Sequence, residues 1–316
     1  MLEAIESNRR QSLALLVLMG CLLLGLGYAL GSAFHPGMGL HGMGIAAFVW
    51  IMLWGIASFQ GDAVFLATAG AEQIHKVDHP QLWNVVEEMT IAAGLPKPPE
   101  IYIIPDDAPN AFAVGHSSKT GSVAVTSGLL RLMDRDELQG VVAHEIGHLK
   151  NRDSSFLVLA GLLLGTIVIL SEIFWRSMRF GGRVRRSSSR GGGKAQLILY
   201  AVAIAAAILA PILARILYFA CSRKREYLAD ASSARFTRYP EGLASALDKI
   251  ATHAAVPVEN SKILAPLYIV NPLEAASGGA LGLFSTHPPV QDRVRILRGM
   301  GGAGYANYEV AYKKVR

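Results

Sequence analysis

The chain has 316 residues, of which 52% are hydrophobic and 17% are charged, and its formal net charge is +6 at pH 7. A typical soluble domain carries about 25% charged residues, so this composition argues against a purely soluble protein and favours one that enters a lipid bilayer. The two cysteines lie in or beside apolar runs and do not make a disulfide framework, and no basic segment interleaved with aromatic residues favours nucleic acid as a partner.

Four apolar runs approach the roughly 20 residues that a helix needs to cross a bilayer core of about 30 Å. They cover residues 13–34, 44–67, 155–175 and 195–219. The first run is too long for a signal-peptide core and lacks a small-residue cleavage site, so we expect it to be retained as an anchor. Gln60 and Asp62 interrupt the second run, which is expected to span to about Phe59 and then continue as an interfacial helix. A buried core helix is the alternative for each run.

The orientation follows from the lysines and arginines near the ends of these runs. Arg9 and Arg10 precede the first run, whereas the link formed by residues 35–43 contains neither lysine nor arginine. The segment 69–154 carries several basic residues, namely Lys76, Lys97, Lys119, Arg131 and Lys150. Because basic loops tend to stay in the cytoplasm, we expect the N-terminus and the segment 69–154 to face the cytoplasm.

The third and fourth runs are joined by residues 176–194, the most basic stretch of the chain. If both runs cross the bilayer, this segment lies outside, against the tendency of basic loops to remain in the cytoplasm. Either the segment is a tolerated exception, or the pair of runs enters the bilayer without crossing it. Its Gly-, Ser- and Arg-rich composition is typical of a flexible loop.

The polar segment before the third run is expected to form helices and a small sheet. Apolar residues at helical spacing predict an amphipathic helix over residues 82–93. The predicted short strands cover residues 101–104, 111–114 and 123–125. Asp134 and Glu137 have the spacing of a capping box, which predicts that a further helix begins at this point.

That further helix carries the pattern His144-Glu145-Ile146-Gly147-His148, which places both histidines on one helical face. Two imidazoles at this spacing can bind one zinc ion per subunit, at Zn–N distances of about 2.0–2.1 Å. Glu145 lies beside them and suits a general base that takes a proton from water. A chance match is the alternative, but Ile146 and Gly147 do not weaken the zinc interpretation.

The third zinc ligand must come from a distant segment, because position 154 is a serine and the compact pattern with a third histidine is absent. Glu226 and Asp230 are four residues apart on a predicted helix that begins as the fourth apolar run ends. Glu226 is the candidate ligand, and Asp230 is expected to accept a hydrogen bond from the far nitrogen of a ligand histidine. The alternative is a solvated, charged helix face among neighbouring basic residues.

Several short motifs together resemble one known family over nearly the whole chain. They are Asn110-Ala111-Phe112-Ala113, His144-Glu145-Ile146-Gly147-His148, Ser222-Arg223-Lys224-Arg225-Glu226-Tyr227 with Ala229-Asp230, and Ser285-Thr286-His287-Pro288-Pro289. With the two N-terminal helices and the later hairpin, they resemble the HtpX-like heat-shock membrane zinc metalloproteases, relatives of the CAAX prenyl proteases. The resemblance implies a membrane-embedded endopeptidase that acts in quality control of membrane proteins, and it supports Glu226 as the third ligand.

The expected fold is that of an α+β membrane protein. A mostly helical, zincin-type (gluzincin-like) metalloprotease domain with a small β-sheet is fused to about four transmembrane or membrane-inserted helices. The expected segments are an N-terminal helix pair (1–68), the first half of the protease domain (69–154), the membrane hairpin (155–219) and the second half of the protease domain (220–316).

The resemblance gives two further motifs a possible role. Asn110, Ala111, Phe112 and Ala113 are expected on an edge strand that pairs with the extended substrate backbone, with Asn110 a candidate for binding an amide near the scissile bond. An ordinary strand start after a turn is the alternative. His287 is a candidate for polarising the scissile carbonyl or stabilising its oxyanion, and a surface histidine before a Pro-Pro turn is the alternative.

Two other charged residues lie near these motifs in the sequence. Arg293 is a candidate for ordering the loop that carries His287. Asp153 either supports the zinc site or ends a helix at the membrane interface, and the second interpretation is preferred.

The predicted function is hydrolysis of peptide bonds in misfolded or damaged membrane proteins, in a bacterial inner membrane and with the active site facing the cytoplasm. The expected partners are polypeptide substrates and the lipid bilayer, and no oligomeric state is predicted. Two alternatives stay open: a zinc-binding membrane scaffold or regulator without proteolysis, against which Glu145 argues, and a CAAX-type processing peptidase for lipidated C-termini.

Overall fold

The computed structural model describes residues 2–35, 37–59, 61–117, 120–151, 153–180, 193–253, 269 and 288–315. Over these residues the chain is mostly helical with one small sheet, which confirms the predicted fold class. The helices are α1 (Leu2–Phe34), α2 (Gly39–Phe59), α3 (Gly61–Thr68), α4 (Pro80–Ala93), α5 (Ser127–Leu132), α6 (Arg135–Asn151), α7 (Asp153–Phe180), α8 (Gly193–Thr237), α9 (Pro240–Thr252), α10 (Val290–Arg298) and α11 (Tyr305–Val315). The strands are β1 (Glu72–Gln73), β2 (Glu100–Ile104), β3 (Ala111–Ser117) and β4 (Thr120–Thr126).

The chain divides into two compact units. The helical unit comprises Arg10–Phe59 and Val158–Tyr218, and the α/β unit comprises Met1–Arg9, Gln60–Leu157 and Phe219–Arg316. The α/β unit is therefore assembled from segments that are far apart in the sequence. The division into four segments that we expected from the sequence stays a prediction.

Four helices are long and apolar enough to cross a membrane, as the four apolar runs predicted. The candidate spans are Arg10–Phe34, Gly39–Ala57, Leu159–Arg179 and Gln196–Thr237. At most 33% of the most apolar window of each helix is buried within the protein, which argues against the alternative of buried core helices. Helix α2, which contains the second span, ends at Phe59, and α3 follows as a separate helix. Helix α8 continues through Pro211. Neighbouring helices and local adjustment make an internal proline tolerable in a membrane helix.

Small residues allow the first two helices to pack closely within the helical unit. A side chain at Gly42 would overlap the backbone carbonyl of Gly27, and a side chain at Gly31 would lie 2.5 Å from the carbonyl oxygen of Met38. Helices without side chains at their contact can bring their backbones together, which is the usual way that membrane helices associate. The pair α1 and α2 therefore depends on glycine at these positions.

The sheet of the α/β unit has the strand order β1-β2-β4-β3. Strand β4 pairs in parallel with β2, with Ile101 opposite Val123, and in antiparallel with β3, with Ala111 opposite Val125. The three predicted strands are confirmed. Strand β1 was not predicted, because two residues are too few to show an alternating pattern. Among the strands of the described residues β3 is the last in this order, which places the motif that starts at Asn110 at a sheet edge.

Helix α6 is the central element of this unit and is buried along most of its length. Its predicted apolar residues all lie in the core, namely Leu138, Val141, Val142 and Ile146. The predicted capping box is also present: Glu137 N–H donates to Asp134 Oδ1 at 2.9 Å, and Asp134 N–H donates to Glu137 Oε2 at 3.0 Å. The start of α6 is thus determined by its own sequence, and the helix packs into the core through its apolar face.

Candidate metal centre

Helix α6 places three polar side chains in the interior of the α/β unit. His144, Glu145 and His148 are 0%, 1% and 9% exposed. The i, i+4 spacing brings the two imidazoles onto one face, with ring centroids 4.7 Å apart and ring planes 88° apart. Their Nε2 atoms lie 3.1 Å from each other, which means that both nitrogens point at one position.

Helix α8 adds a carboxylate at the same position. Glu226 Oε2 lies 3.6 Å from His144 Nε2, and Glu226 Oε1 lies 3.4 Å from His148 Nε2. One ligand atom from each of the three side chains falls within 4.8 Å of the others. Two atoms bound to one tetrahedral zinc ion at 2.0–2.1 Å would be about 3.3–3.4 Å apart, so the observed separations match a metal site.

The second nitrogen of each imidazole contacts an aspartate, which decides where the lone pairs of the two rings point. His144 Nδ1 lies 3.0 Å from Asp230 Oδ1, and His148 Nδ1 lies 3.1 Å from Asp153 Oδ2. A carboxylate accepts a hydrogen, so each Nδ1 carries the proton and each Nε2 keeps its lone pair. Two lone pairs and a carboxylate then converge on one buried position, an arrangement that a metal ion stabilises.

Both supporting aspartates are held by buried arginines. Arg293 Nε and Nη2 donate to the two carboxylate oxygens of Asp230 at 2.9 and 2.7 Å, and Arg293 Nη1 lies 3.3 Å from Glu226 Oε2. Arg225 Nη1 lies 2.8 Å from Asp153 Oδ1. Arg293 and Arg225 are 0% and 3% exposed, so both guanidinium groups belong to the interior of the site.

Nearby carboxylates raise the pKa values of both histidines. Burial lowers the pKa of His144, but its hydrogen bonds with Asp230 and Glu226 outweigh burial and raise that pKa. Burial likewise lowers the pKa of His148, and hydrogen bonds with Asp153 and Glu226 raise it well above its ordinary value. The carboxylates that favour a proton on these imidazoles favour a metal cation for the same electrostatic reason.

Glu145 has the properties of a carboxyl group that exchanges protons. Burial raises the pKa of Glu145, against the opposing attraction of His144 and His148. A buried carboxyl group with a raised pKa accepts a proton more readily than an exposed one, as a general base must. Its position next to His144 on α6 places it beside the candidate metal position.

The predicted substrate-binding motif lies at the start of β3, at the edge of the sheet. Thr126 N–H donates to the carbonyl of Asn110, so the carbonyl of Ala111 points away from β4 and accepts the N–H of Ile269 at 3.1 Å. Side chains Phe112 and Ala113 are buried, so the motif offers backbone rather than side chains at this edge. His287 lies outside the described residues.

Comparison with known proteins identifies the family to which this arrangement belongs. The sequence pattern of peptidase family M48 matches residues 76–301, more than two thirds of the chain. The chain belongs to peptidase family M48. A relative described as Protease HtpX homolog, from Dictyoglomus thermophilum, is 45% identical over 300 residues, which are 95% of this chain and 94% of the relative. A second with the same description, from Thermoanaerobacter pseudethanolicus, is 39% identical over 94% of this chain and 97% of its own.

The family membership confirms the resemblance to HtpX-like proteases. This M48 chain is a metalloprotease that hydrolyses peptide bonds, and its apolar helices make it a membrane protein. The crystal structure of Ste24p from S. mikatae has a similar fold, with a TM-score of 0.51 and 20% identity over 94% of this chain and 67% of that one. At this level of identity, the likeness concerns the fold alone.

Part of this M48 site differs from what the sequence predicted. The preferred interpretation of Asp153 as only a helix end was wrong, because the residue both begins α7 and reaches His148 Nδ1. Arg293 contacts the carboxylates of Asp230 and Glu226, beyond the loop-ordering role that we expected. Arg225 is one of the basic residues next to Glu226 in the sequence, where the alternative was a solvated helix face, and its side chain is buried. The short spacing of five residues between His148 and Asp153 is the sequence signal that could have indicated their contact.

Proposed function

We propose that this M48 protease is an endopeptidase whose single zinc ion per chain is held by His144, His148 and Glu226. The observation that carries the proposal is the convergence of two Nε2 atoms, 3.1 Å apart, with a buried carboxylate 3.4 and 3.6 Å away. Nitrogen and oxygen ligands in this number are typical of catalytic zinc sites. When bound, zinc polarises the scissile carbonyl and lowers the pKa of water.

Glu145 acts as the general base and then as the general acid in this proposal. Its carboxylate takes a proton from the attacking water and passes it to the nitrogen of the leaving amine. The support is its burial at the centre and its raised pKa. Asp230 holds His144 in the tautomer that leaves Nε2 available, through the contact at Nδ1.

The edge of β3 is the proposed binding place for the extended substrate backbone. The carbonyl of Ala111 already accepts a backbone N–H from Ile269, so the edge can take part in strand-like pairing. A substrate that pairs at Ala111 must exchange this hydrogen bond. In the same proposal Asn110 binds a backbone amide near the scissile bond and His287 stabilises the oxyanion.

The proposed substrates are misfolded or damaged membrane proteins, cleaved on the cytoplasmic side of a bacterial inner membrane. Two features support this. Asp153 begins the helix that contains the third candidate span, and Glu226 belongs to the helix that contains the fourth. The lysines and arginines of the segment 69–154, set against their absence in residues 35–43, favour a cytoplasmic α/β unit.

The test compares wild-type protein with Glu145→Gln in detergent, using an unfolded membrane protein and a short prenylated peptide as substrates. We expect the wild type to cleave the membrane protein, and Glu145→Gln to retain its zinc but lose about 10²–10⁴-fold in rate. Glu309→Gln, which alters an exposed glutamate paired with Lys313, is the matched control and should cleave normally.

Three results would contradict parts of the proposal. Unreduced cleavage by Glu145→Gln would exclude Glu145 as the base. Cleavage of the prenylated peptide alone would favour a processing peptidase. Zinc binding by the wild type with no cleavage of either substrate would favour a scaffold or regulator.

A further inference from the structure

The two imidazoles of the centre are backed in parallel ways. Behind His144, Asp230 pairs with Arg293 of α10; behind His148, Asp153 pairs with Arg225 of α8. Asp153 is 1% exposed and uses one oxygen for each partner: Oδ2 lies 3.1 Å from His148 Nδ1, and Oδ1 lies 2.8 Å from Arg225 Nη1.

Arg225 is fixed by more than its ion pair. Its Nη1 also donates to the backbone carbonyl of Asp153 at 2.9 Å, and its guanidinium lies 3.8 Å from the ring centroid of Phe156. A cation over an aromatic ring is attracted by the negative face of the ring. The first turn of α7 therefore contacts the guanidinium through both the Asp153 carbonyl and the Phe156 ring.

We propose that Asp153 and Arg225 are a positioning pair for His148: Asp153 orients the imidazole through Nδ1, and Arg225 acts through Asp153 by holding its carboxylate in place. The inference rests on the proposed function, in which His148 Nε2 binds the metal. Neither residue is required to touch the metal or the substrate.

A purely structural role for Asp153 does not account for this geometry. An acidic residue in the first turn of a helix is favourable when it is exposed, without any arginine or histidine partner. Here the carboxylate and the guanidinium are both buried, which is unfavourable unless each charge is fully paired. The pairing divides the two carboxylate oxygens between the arginine and the histidine, which is the arrangement by which carboxylates orient metal-binding imidazoles.

The orientation has a defined effect on the ring. His148 Nδ1–H donates to Oδ2, so the ring cannot turn about its bond to Cβ without losing this hydrogen bond, and the Nε2 lone pair stays directed at the metal position. Weakening the support of an imidazole typically lowers metal affinity about 10- to 100-fold. A role confined to fold stability would leave the affinity of the folded protein unchanged.

The experiment measures zinc dissociation constants by competition with a chromogenic chelator, on purified full-length protein that elutes as a folded species in detergent. The variants are Asp153→Ala, Asp153→Asn, Arg225→Met and Arg225→Lys. Arg135→Met is the matched control, because it removes an exposed arginine that pairs with Glu88 away from the centre. The visible absorption spectrum of the cobalt-substituted protein reports the ligand geometry independently of activity.

We expect Asp153→Ala to weaken zinc binding about 10- to 100-fold and to shift the cobalt spectrum. Asp153→Asn, which keeps an acceptor without the charge, should weaken binding less. Arg225→Met should weaken zinc binding. Arg225→Lys should bind zinc about as the wild type does, because a lysine ammonium can replace the single nitrogen that contacts Asp153 Oδ1. Arg135→Met should bind zinc as the wild type does.

Unchanged affinity and spectrum in Asp153→Ala and Arg225→Met would overturn the inference while leaving the metal site intact. If these two variants fail to fold, Asp153→Asn decides: wild-type affinity and spectrum in this variant would overturn the inference, and weaker zinc binding would support it. Absence of zinc binding in the wild type would overturn the proposed metal site itself, and this inference with it.

Discussion

Arg293 and Asp230 form a two-point ion pair in the interior of the protein, with N–O distances of 2.9 and 2.7 Å and no exposure of either side chain. Burial lowers the pKa of Arg293, but the carboxylates of Asp230 and Glu226 outweigh burial and raise it, so the guanidinium stays charged. The pair joins α10 to α8. Because Arg293 also contacts Glu226, it links the C-terminal part of the chain to a candidate metal ligand.

Replacement of Arg293 by methionine should destabilise the protein strongly. Methionine fills much of the same space but leaves the buried carboxylates of Asp230 and Glu226 without their cation. Breaking a buried ion pair by removing one partner typically costs about 3–5 kcal/mol. Denaturant unfolding of the detergent-solubilised protein, followed by tryptophan fluorescence, measures the change.

The control for this variant is Arg298→Met on the same helix. Arg298 pairs with Glu241 and Asp248 on the surface, where its side chain is 46% exposed. Exposed ion pairs contribute roughly 0–1 kcal/mol, so this variant should unfold almost as the wild type does. Equal losses in both variants would contradict the interior role of Arg293.

Gly140→Ala should destabilise the contact between α6 and α9. A Cβ at this position would lie 2.6 Å from the backbone nitrogen of Leu243, which cannot move without shifting α9. Overpacking of this kind typically costs about 1–3 kcal/mol. Thermal unfolding of Gly140→Ala should show a lower transition temperature. Gly161→Ala on α7, whose Cβ would meet no atom of the described residues within 4 Å, should unfold at the wild-type temperature. A wild-type transition in Gly140→Ala would mean that the helices are less closely packed.

Removal of the metal should abolish proteolysis and lower stability together. A ligand that binds only the folded state stabilises it by about 2.7 kcal/mol when present at 100 times its dissociation constant. Treatment with a chelator should therefore lower the unfolding temperature, and added zinc should restore both unfolding temperature and activity. Proteolysis that continues after complete metal removal, verified by elemental analysis, would contradict a metal-dependent reaction.

The sequence predicted the parts of the site that depend on local spacing. His144 and His148, like Glu226 and Asp230, are four residues apart on a helix, so their shared face follows from helix geometry alone. The capping box at Asp134 was equally local. These features could be read without knowing how the chain folds.

The missed parts depend on contacts between distant segments. In the sequence Arg225 resembles a solvated cation and Arg293 a residue that orders a loop. Their burial depends on ion pairs with Asp153 and Asp230, which belong to other elements. The sequence also suggested a new helix after the fourth apolar run, whereas α8 continues unbroken from Gly193 to Thr237. Hydropathy shows where an apolar run becomes polar. It does not show where the helix ends, because the backbone hydrogen bonds of a helix can continue from apolar into polar sequence.

The three-residue metal centre is tested by measuring the zinc content of purified wild-type protein and of Glu226→Ala. We expect one zinc ion per chain in the wild type and a large loss of zinc in Glu226→Ala, while Glu309→Ala, at an exposed position, keeps its zinc. Elemental analysis on samples with matched circular dichroism supplies the measurement. A full complement of zinc in folded Glu226→Ala would contradict the three-residue metal centre.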